Sequence, residues 1–161
     1  MSEDILRRQL YDSFKNRAMI YYLIYDELRE ECGAERAEEV LGRAIYRRGA
    51  EKGRENYSRF GPHDLEGLLQ AFLGGIPDEG RMFQPEVLKS DAAGADIKFH
   101  ACPLRDAWRE AGLPEAEIAA LCRIAARIDN GTFEAAGFAF HADTWQPGGE
   151  DCCFLHIRPG K

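Results

Sequence analysis

Ile97-Lys98-Phe99-His100-Ala101-Cys102-Pro103-Leu104-Arg105-Asp106-Ala107-Trp108 is where the chain changes its period. Before Pro103, apolar and polar residues alternate as on a half-buried strand. Ile97, Phe99 and Ala101 fall on one face, and Lys98, His100 and Cys102 on the other. Pro103 then suits the first turn of a helix, where its missing N–H would have had no intrahelical partner. A second proline-led helix, Pro114 to Asp129, carries Cys122 and is expected to stop at Asp129-Asn130-Gly131, a turn signal.

Working outward, residues 4 to 32 read as one long helix with Leu6, Leu10, Phe14, Ala18, Tyr21, Tyr25, Leu28 and Cys32 at steps of three or four. Cys32 on this stripe reads as a small core residue. Gly33 suits the helix end, and a second helix follows to about Tyr57, with a short one from Asp64 to Leu73. Met82 to Lys89, interrupted by Pro85, reads as an edge strand or bulge that pairs with Ala95 to Ala101. Thr132 to Asp143 and Asp151 to Arg158 make a second hairpin. Hairpins in place of βαβ units predict an α+β fold: an N-terminal long helix pair, and an antiparallel sheet built from two hairpins with helices packed on one face. The 161 residues suit a single domain over 1–161, helical over 1–60 and α+β over 61–161, with the site in the latter part.

Hydrophobic content of 45% and charged content of 30% are ordinary for a globular chain. A net charge of −7 argues against nucleic acid as a partner. No apolar run is long enough to span a membrane, and the charged N-terminal segment does not read as a signal peptide. Five cysteines on such a chain are expected to be free thiols in a cytoplasmic setting.

Chemistry gathers around the thiols. Cys102 ends a strand before the amides that open a helix, a place that stabilises a thiolate; it reads as a nucleophile or as a packing residue. Asp106 suits a cationic substrate group or the positive end of its helix. Asp129 suits a general base or a turn, and Trp108 suits the core or the wall of a pocket. No CxxC pair, GxSxG, P-loop, GxGxxG or HExxH is present. No cofactor is expected from motifs; a zinc ion, if bound, would draw on Cys122, His141 and Cys153 or Cys152. The long first helix also offers a surface for a homodimer.

Several short motifs carry a resemblance by their order. They are Arg17-Ala18, Ala44-Ile45-Tyr46-x-x-Gly49, Cys102-Pro103-Leu104, Asp106-Ala107-Trp108, Gly112-Leu113, Leu121-Cys122, Asp129-x-Gly131 and Gly149-Glu150-Asp151-Cys152-Cys153-Phe154-Leu155. Over most of the chain they resemble the L-2-amino-thiazoline-4-carboxylic acid hydrolase family. The late Gly-acidic-x-x-Cys pattern also resembles vinyl-reductase-type small-molecule-binding domains, with Cys153 at the cysteine position. The other zinc ligands of sensors built on that domain do not map cleanly here. The resemblance implies a hydrolase that opens a cyclic isothiourea to N-carbamoyl-L-cysteine. It implies catalytic roles among Cys102, Asp106, Asp129 and Cys153, Trp108 beside the substrate, and a carboxylate clamp among Arg17, Arg43 and Arg47. The alternative is a non-catalytic small-molecule or zinc-binding sensor.

Overall fold

The structure, a computed structural model, describes residues 2–161. Helix α1 (Glu3–Cys32) starts where the Ser2 side chain accepts the Ile5 amide, with Glu3 and Asp4 at the positive end of the dipole. Gly33, at φ +87°, turns the chain directly into α2 (Ala34–Asn56). The middle of the α1 stripe is covered: Ala18 and Tyr25 are buried, and Phe14, Tyr21 and Leu28 pack half-buried against the core. Its ends are not. Leu6 is exposed, and so is Cys32, whose thiol turns back onto the Leu28 carbonyl. The expected burial of Cys32 is therefore corrected: the covered part of the stripe stops at Leu28.

Helix α5 (Glu115–Ala135) lies on α2 at backbone distance. A Cβ at Gly49 would sit 2.0 Å from the Ile128 carbonyl oxygen, one at Gly53 2.1 Å from that of Thr132, and one at Gly131 2.1 Å from that of Tyr46. This contact explains a second correction. Asp129-Asn130-Gly131, expected to end the helix, lies inside α5, because Gly131 is one of the positions at which the α2 backbone packs directly on α5. Tertiary contact overrides local turn preference. The following strand consequently begins at Ala139 and not at Thr132.

The sheet consists of β1 (Pro85–Asp91), β2 (Gly94–Phe99), β3 (Ala139–Asp143) and β4 (Phe154–Arg158), in the order β1-β2-β4-β3 with every pair antiparallel. Two hairpins are thus joined through β2 and β4. β1 is an edge strand that opens on Pro85 and bulges between Val87 and Lys89. Ile97, Phe99, Leu155 and Ile157 are buried beneath α3 (Leu65–Gly74) and the end of α5, in a core with Leu65, Leu68 and Phe133. The outer face is polar: His156 sits between Asp96 (2.8 Å) and Asp143 (3.0 Å). The fold is α+β with helices on one face.

A second core, built on α1, α2, α4 (Pro103–Glu110) and α5, surrounds Trp108 and Trp145. Cys102 packs against both cores. It does not share the outer surface with His100, as strand alternation predicts. β2 ends at Phe99; the His100 and Ala101 amides bond the Gln84 and Phe83 carbonyls, and Pro103 then opens α4. His100 faces Glu86 at 2.6 Å, while Cys102 turns inward. Among the described residues no helix is long and apolar enough to cross a membrane.

The α2–α5 contact can be tested directly. Alanine at an open helical position gains about 1 kcal/mol over glycine, but at Gly49 the new methyl meets a carbonyl. Gly49→Ala is expected to destabilise the protein by roughly 2–3 kcal/mol net, read from urea unfolding. Gly74→Ala, at the last residue of α3 where a Cβ meets nothing within 4 Å, is expected to leave stability unchanged or raise it by up to about 1 kcal/mol.

Candidate functional site

A cavity of about 230 Å³ opens where the two cores meet. Cys102 reaches it from the first residue before α4, Cys122 and Asp129 from α5, and Cys153 from the segment leading into β4. Arg17 enters from α1, and Trp108, fully buried, forms part of the wall. The Trp108 indole N–H donates to the Ala18 carbonyl at 2.8 Å, so the ring is fixed and its polar atom satisfied.

Other expected site residues lie elsewhere. Asp106 is exposed on α4, its carboxylate 3.8 Å from Arg105. Arg43 bonds Glu39 at 3.0 Å on the outside of α2, and Arg47 is exposed on the same helix. Both were expected near the substrate because they crowd the later turns of α2, but those turns present them to solvent. His141 is on the outer face of the sheet, 2.9 Å from Asp143 and stacked on His156. It therefore cannot join Cys122 and Cys153 at one metal ion. Among the described residues no group of three or more His, Cys, Asp or Glu is arranged to hold a metal.

The thiols are electrostatically unequal. Cys152, buried beside Cys102, donates its proton toward the Cys102 sulfur. The Leu104 and Arg105 amides and the Arg105 guanidinium also favour a negative charge there, although neither amide closes a capping hydrogen bond. Together these outweigh burial and hold the Cys102 thiol below its ordinary pKa. The other thiols go the opposite way. Burial raises Cys122, and it pushes Cys153 up to about 12. Cys152 rises because its proton is held in the bond to Cys102. Arg105 is 5% exposed; its Nη1 donates to the Glu150 carbonyl at 3.2 Å, and its Nε is a buried donor without an acceptor. Nothing in the local sequence pattern marks Arg105, because its burial depends on the late loop folding over α4.

The charged groups of the cavity come from three helices. Asp129 is half-buried on the cavity wall, and desolvation pushes its carboxyl up to about 7, although Lys52 and Arg17 pull the other way. Lys52, exposed and lining the cavity, stands at its rim. It was not among the expected site residues. The Arg17 guanidinium lies 4.4 Å from the Phe14 ring centroid and 5.9 Å from that of Tyr21. Its Nε is buried without an acceptor, and among the described residues no carboxylate pairs with it. A signal for Arg17 exists in the sequence: it is a cation inside an apolar stripe, flanked by Phe14, Ala18 and Tyr21. The assembly thus brings together a thiol held below its ordinary pKa, a carboxyl raised to about 7, and a guanidinium with no carboxylate partner among the described residues.

The family model described as L-2-amino-thiazoline-4-carboxylic acid hydrolase matches residues 13–157. No curated protein matches the chain. Among solved structures, the phenol-responsive sensory domain of the transcription activator PoxR, crystallised with phenol, is similar at a TM-score of 0.56 and 18% identity, over 88% of this chain and 73% of that one. A trafficking protein particle complex subunit 3 from Naegleria fowleri, covalently bound to palmitic acid, is similar at 0.58 and 16% identity, over 92% of this chain and 96% of that one. At these identities the likeness is one of fold.

Asp129 makes stability depend on pH with a definite sign. Its folded pKa is raised above the unfolded value of about 4, so between those values the native state holds more protons than the unfolded chain. This contribution to stability therefore falls as pH rises from about 4 to about 7. Asp129→Asn is expected to remove that fall and to be more stable than wild type at pH 8, as measured by urea unfolding at pH 4.5 and pH 8.

Proposed function

This chain belongs to the L-2-amino-thiazoline-4-carboxylic acid hydrolase family, and on that premise we propose that it is a small-molecule hydrolase opening a cyclic isothiourea that bears a carboxylate. The observation that carries the proposal is the shared cavity of Cys102, Asp129 and Arg17. Arg17 receives the substrate carboxylate on its planar fork. Asp129, ionised by the approach of a cationic amidine, holds that group and makes its central carbon more electrophilic. The Cys102 thiolate attacks this carbon, the ring C–S bond breaks, and the substrate's sulfur leaves as a thiolate that takes a proton from water. Water then adds to the same carbon with Asp129 taking its proton, and Cys102 departs, leaving a urea. The net change is addition of one water across the C–S bond. Trp108 shapes the wall. Cys153, at the cavity with its proton firmly held, lines the site and is not a second nucleophile.

A second reading has its own support. The two fold neighbours carry phenol in one case and palmitic acid in the other, so a module that binds a small molecule without turning it over fits the same cavity. The homodimer is part of this proposal too. Ile20, Leu23 and Ile24 are exposed at neighbouring positions of α1, and a second copy would cover them.

The expected outcome with L-2-amino-thiazoline-4-carboxylate is release of one thiol per substrate, read with a chromogenic disulfide reagent. Cys102→Ser is expected to abolish release while keeping the wild-type circular dichroism spectrum. Arg17→Gln is expected to raise KM by roughly tenfold or more. Folded wild-type protein that releases no thiol, yet is stabilised against heat by the substrate, would move the assignment to the binding module. For the dimer, sedimentation of wild type as a monomer at micromolar concentration would remove that part of the proposal; Leu23→Glu is expected to convert a dimer to a monomer.

A further inference from the structure

Aromatic rings dominate one side of the cavity. Phe14 meets Phe83 edge-on, with centroids 6.1 Å apart, and Phe83 meets Phe99 at 5.2 Å; all three line the cavity. Opposite chain segments add Tyr57 and Phe72, 6.3 Å apart, also in the lining. The guanidinium of Arg17 lies on the Phe14 ring, so the anion position and the aromatic wall adjoin. An aminothiazoline carboxylate has polar atoms for Arg17 and Asp129, but little apolar surface to set against this wall. Burial of such a wall by a bound group is favourable in proportion to the apolar area covered, and ring-on-ring contact adds to it.

We infer that the cavity is built for a carboxylate carrying an aromatic or bulky apolar substituent, with Arg17 holding the carboxylate and the Phe14–Phe83–Phe99 wall holding the substituent. The inference rests on the same role for Arg17 as the proposed hydrolase, and it narrows the substrate class: an amidine acid with a hydrophobic side group is preferred over the bare ring acid, which is turned over but held less tightly. Arg17, stacked on Phe14 and Tyr21, fixes the carboxylate, and the direction left open by the wall determines where the substituent goes.

Binding can be measured without turnover. By calorimetry with the full chain, 3-phenylpropionate is expected to bind at least about tenfold more tightly than propionate. The neutral 3-phenylpropionamide is expected to lose most of that affinity, and so is 3-phenylpropionate against Arg17→Gln. Phe83→Ala is expected to remove the preference for the phenyl compound; Phe83→Leu, which keeps bulk in the wall, is expected to retain part of it and serves as the check on folding. Equal affinity of wild type for propionate and 3-phenylpropionate overturns the inference. Unchanged binding of 3-phenylpropionate by Arg17→Gln overturns it as well, since the anchor is then wrong. A clear phenyl preference in a protein that releases no thiol from the aminothiazoline acid leaves this inference standing and removes the hydrolase. Thiol release without any phenyl preference does the reverse.

Discussion

Two helical backbones in direct contact set the position of everything else. Gly49 and Gly53 of α2 admit the carbonyls of Ile128 and Thr132, and Gly131 of α5 admits that of Tyr46. At this separation there is no room for side chains between the axes, so the residues beside the contact are displaced to its flank. Asp129 is one of them. It cannot be solvated through the helix interface, and the cavity on the flank is the space it faces. Lys52 is carried to the same cavity by the neighbouring turn of α2. A close approach chosen by glycine thus fixes both a stability-determining contact and the electrostatics of the site.

The second determinant is asymmetry among like groups. Four of the five thiols cluster near the junction of the cores, and one of them differs from the rest. Cys102 alone stands at the opening of a helix, with α4 amides and the buried Arg105 on one side and the Cys152 proton on the other. Cys122 and Cys153, in more apolar surroundings, keep their protons. The difference lies in backbone direction more than in residue type: the chain leaves β2 at Phe99, Cys102 follows three residues later, and the Leu104 and Arg105 amides beyond it favour negative charge on its sulfur. Arg105 completes the arrangement at a cost, since burying a guanidinium with an orphaned Nε is unfavourable unless a negative charge is close.

Local periodicity made the architecture legible. The stripe through Phe14, Ala18, Tyr21 and Tyr25, the Pro85 edge strand and the alternation through Ile97 and Phe99 each reflect a face that must be buried, and burial follows period. Boundaries set by distant partners were not legible. Asn130-Gly131 carries the composition of a turn and becomes helix, because the Tyr46 backbone, far off in the chain, packs directly on Gly131. The same limit applies at the site. Cys102, Cys122, Asp129 and Cys153 could be singled out by chemical type, and Arg17 by its place in an apolar stripe. Arg43 and Arg47 have the same chemistry as Arg17 but lie on the solvent side of α2. Which cation faces inward depends on helix rotation against a neighbour, and composition does not encode that rotation. Lys52 and Arg105 acquire their surroundings only when α5 and the late loop pack.

The charge balance of the cavity links binding to proton transfer. With Asp129 protonated, Arg17 and Lys52 leave the site net positive, which suits an incoming carboxylate. A ligand that brings a carboxylate to Arg17 cancels part of the field that had favoured Asp129 ionisation. If the same ligand brings a cation, that cation restores the field at close range, and the carboxyl gives up its proton. Under the proposed function, an acid without a cationic group would favour protonated Asp129, and a zwitterion or amidine acid would favour its ionised form. Because burial raises the carboxyl to about 7, the charge of such a ligand would bias the protonation of the group beside it. A carboxyl kept at an ordinary low value would be ionised whatever entered, and a fully sealed one would never ionise. Partial withdrawal on the flank of the α2–α5 contact is what would make Asp129 responsive to the charge of a ligand in the proposed reaction.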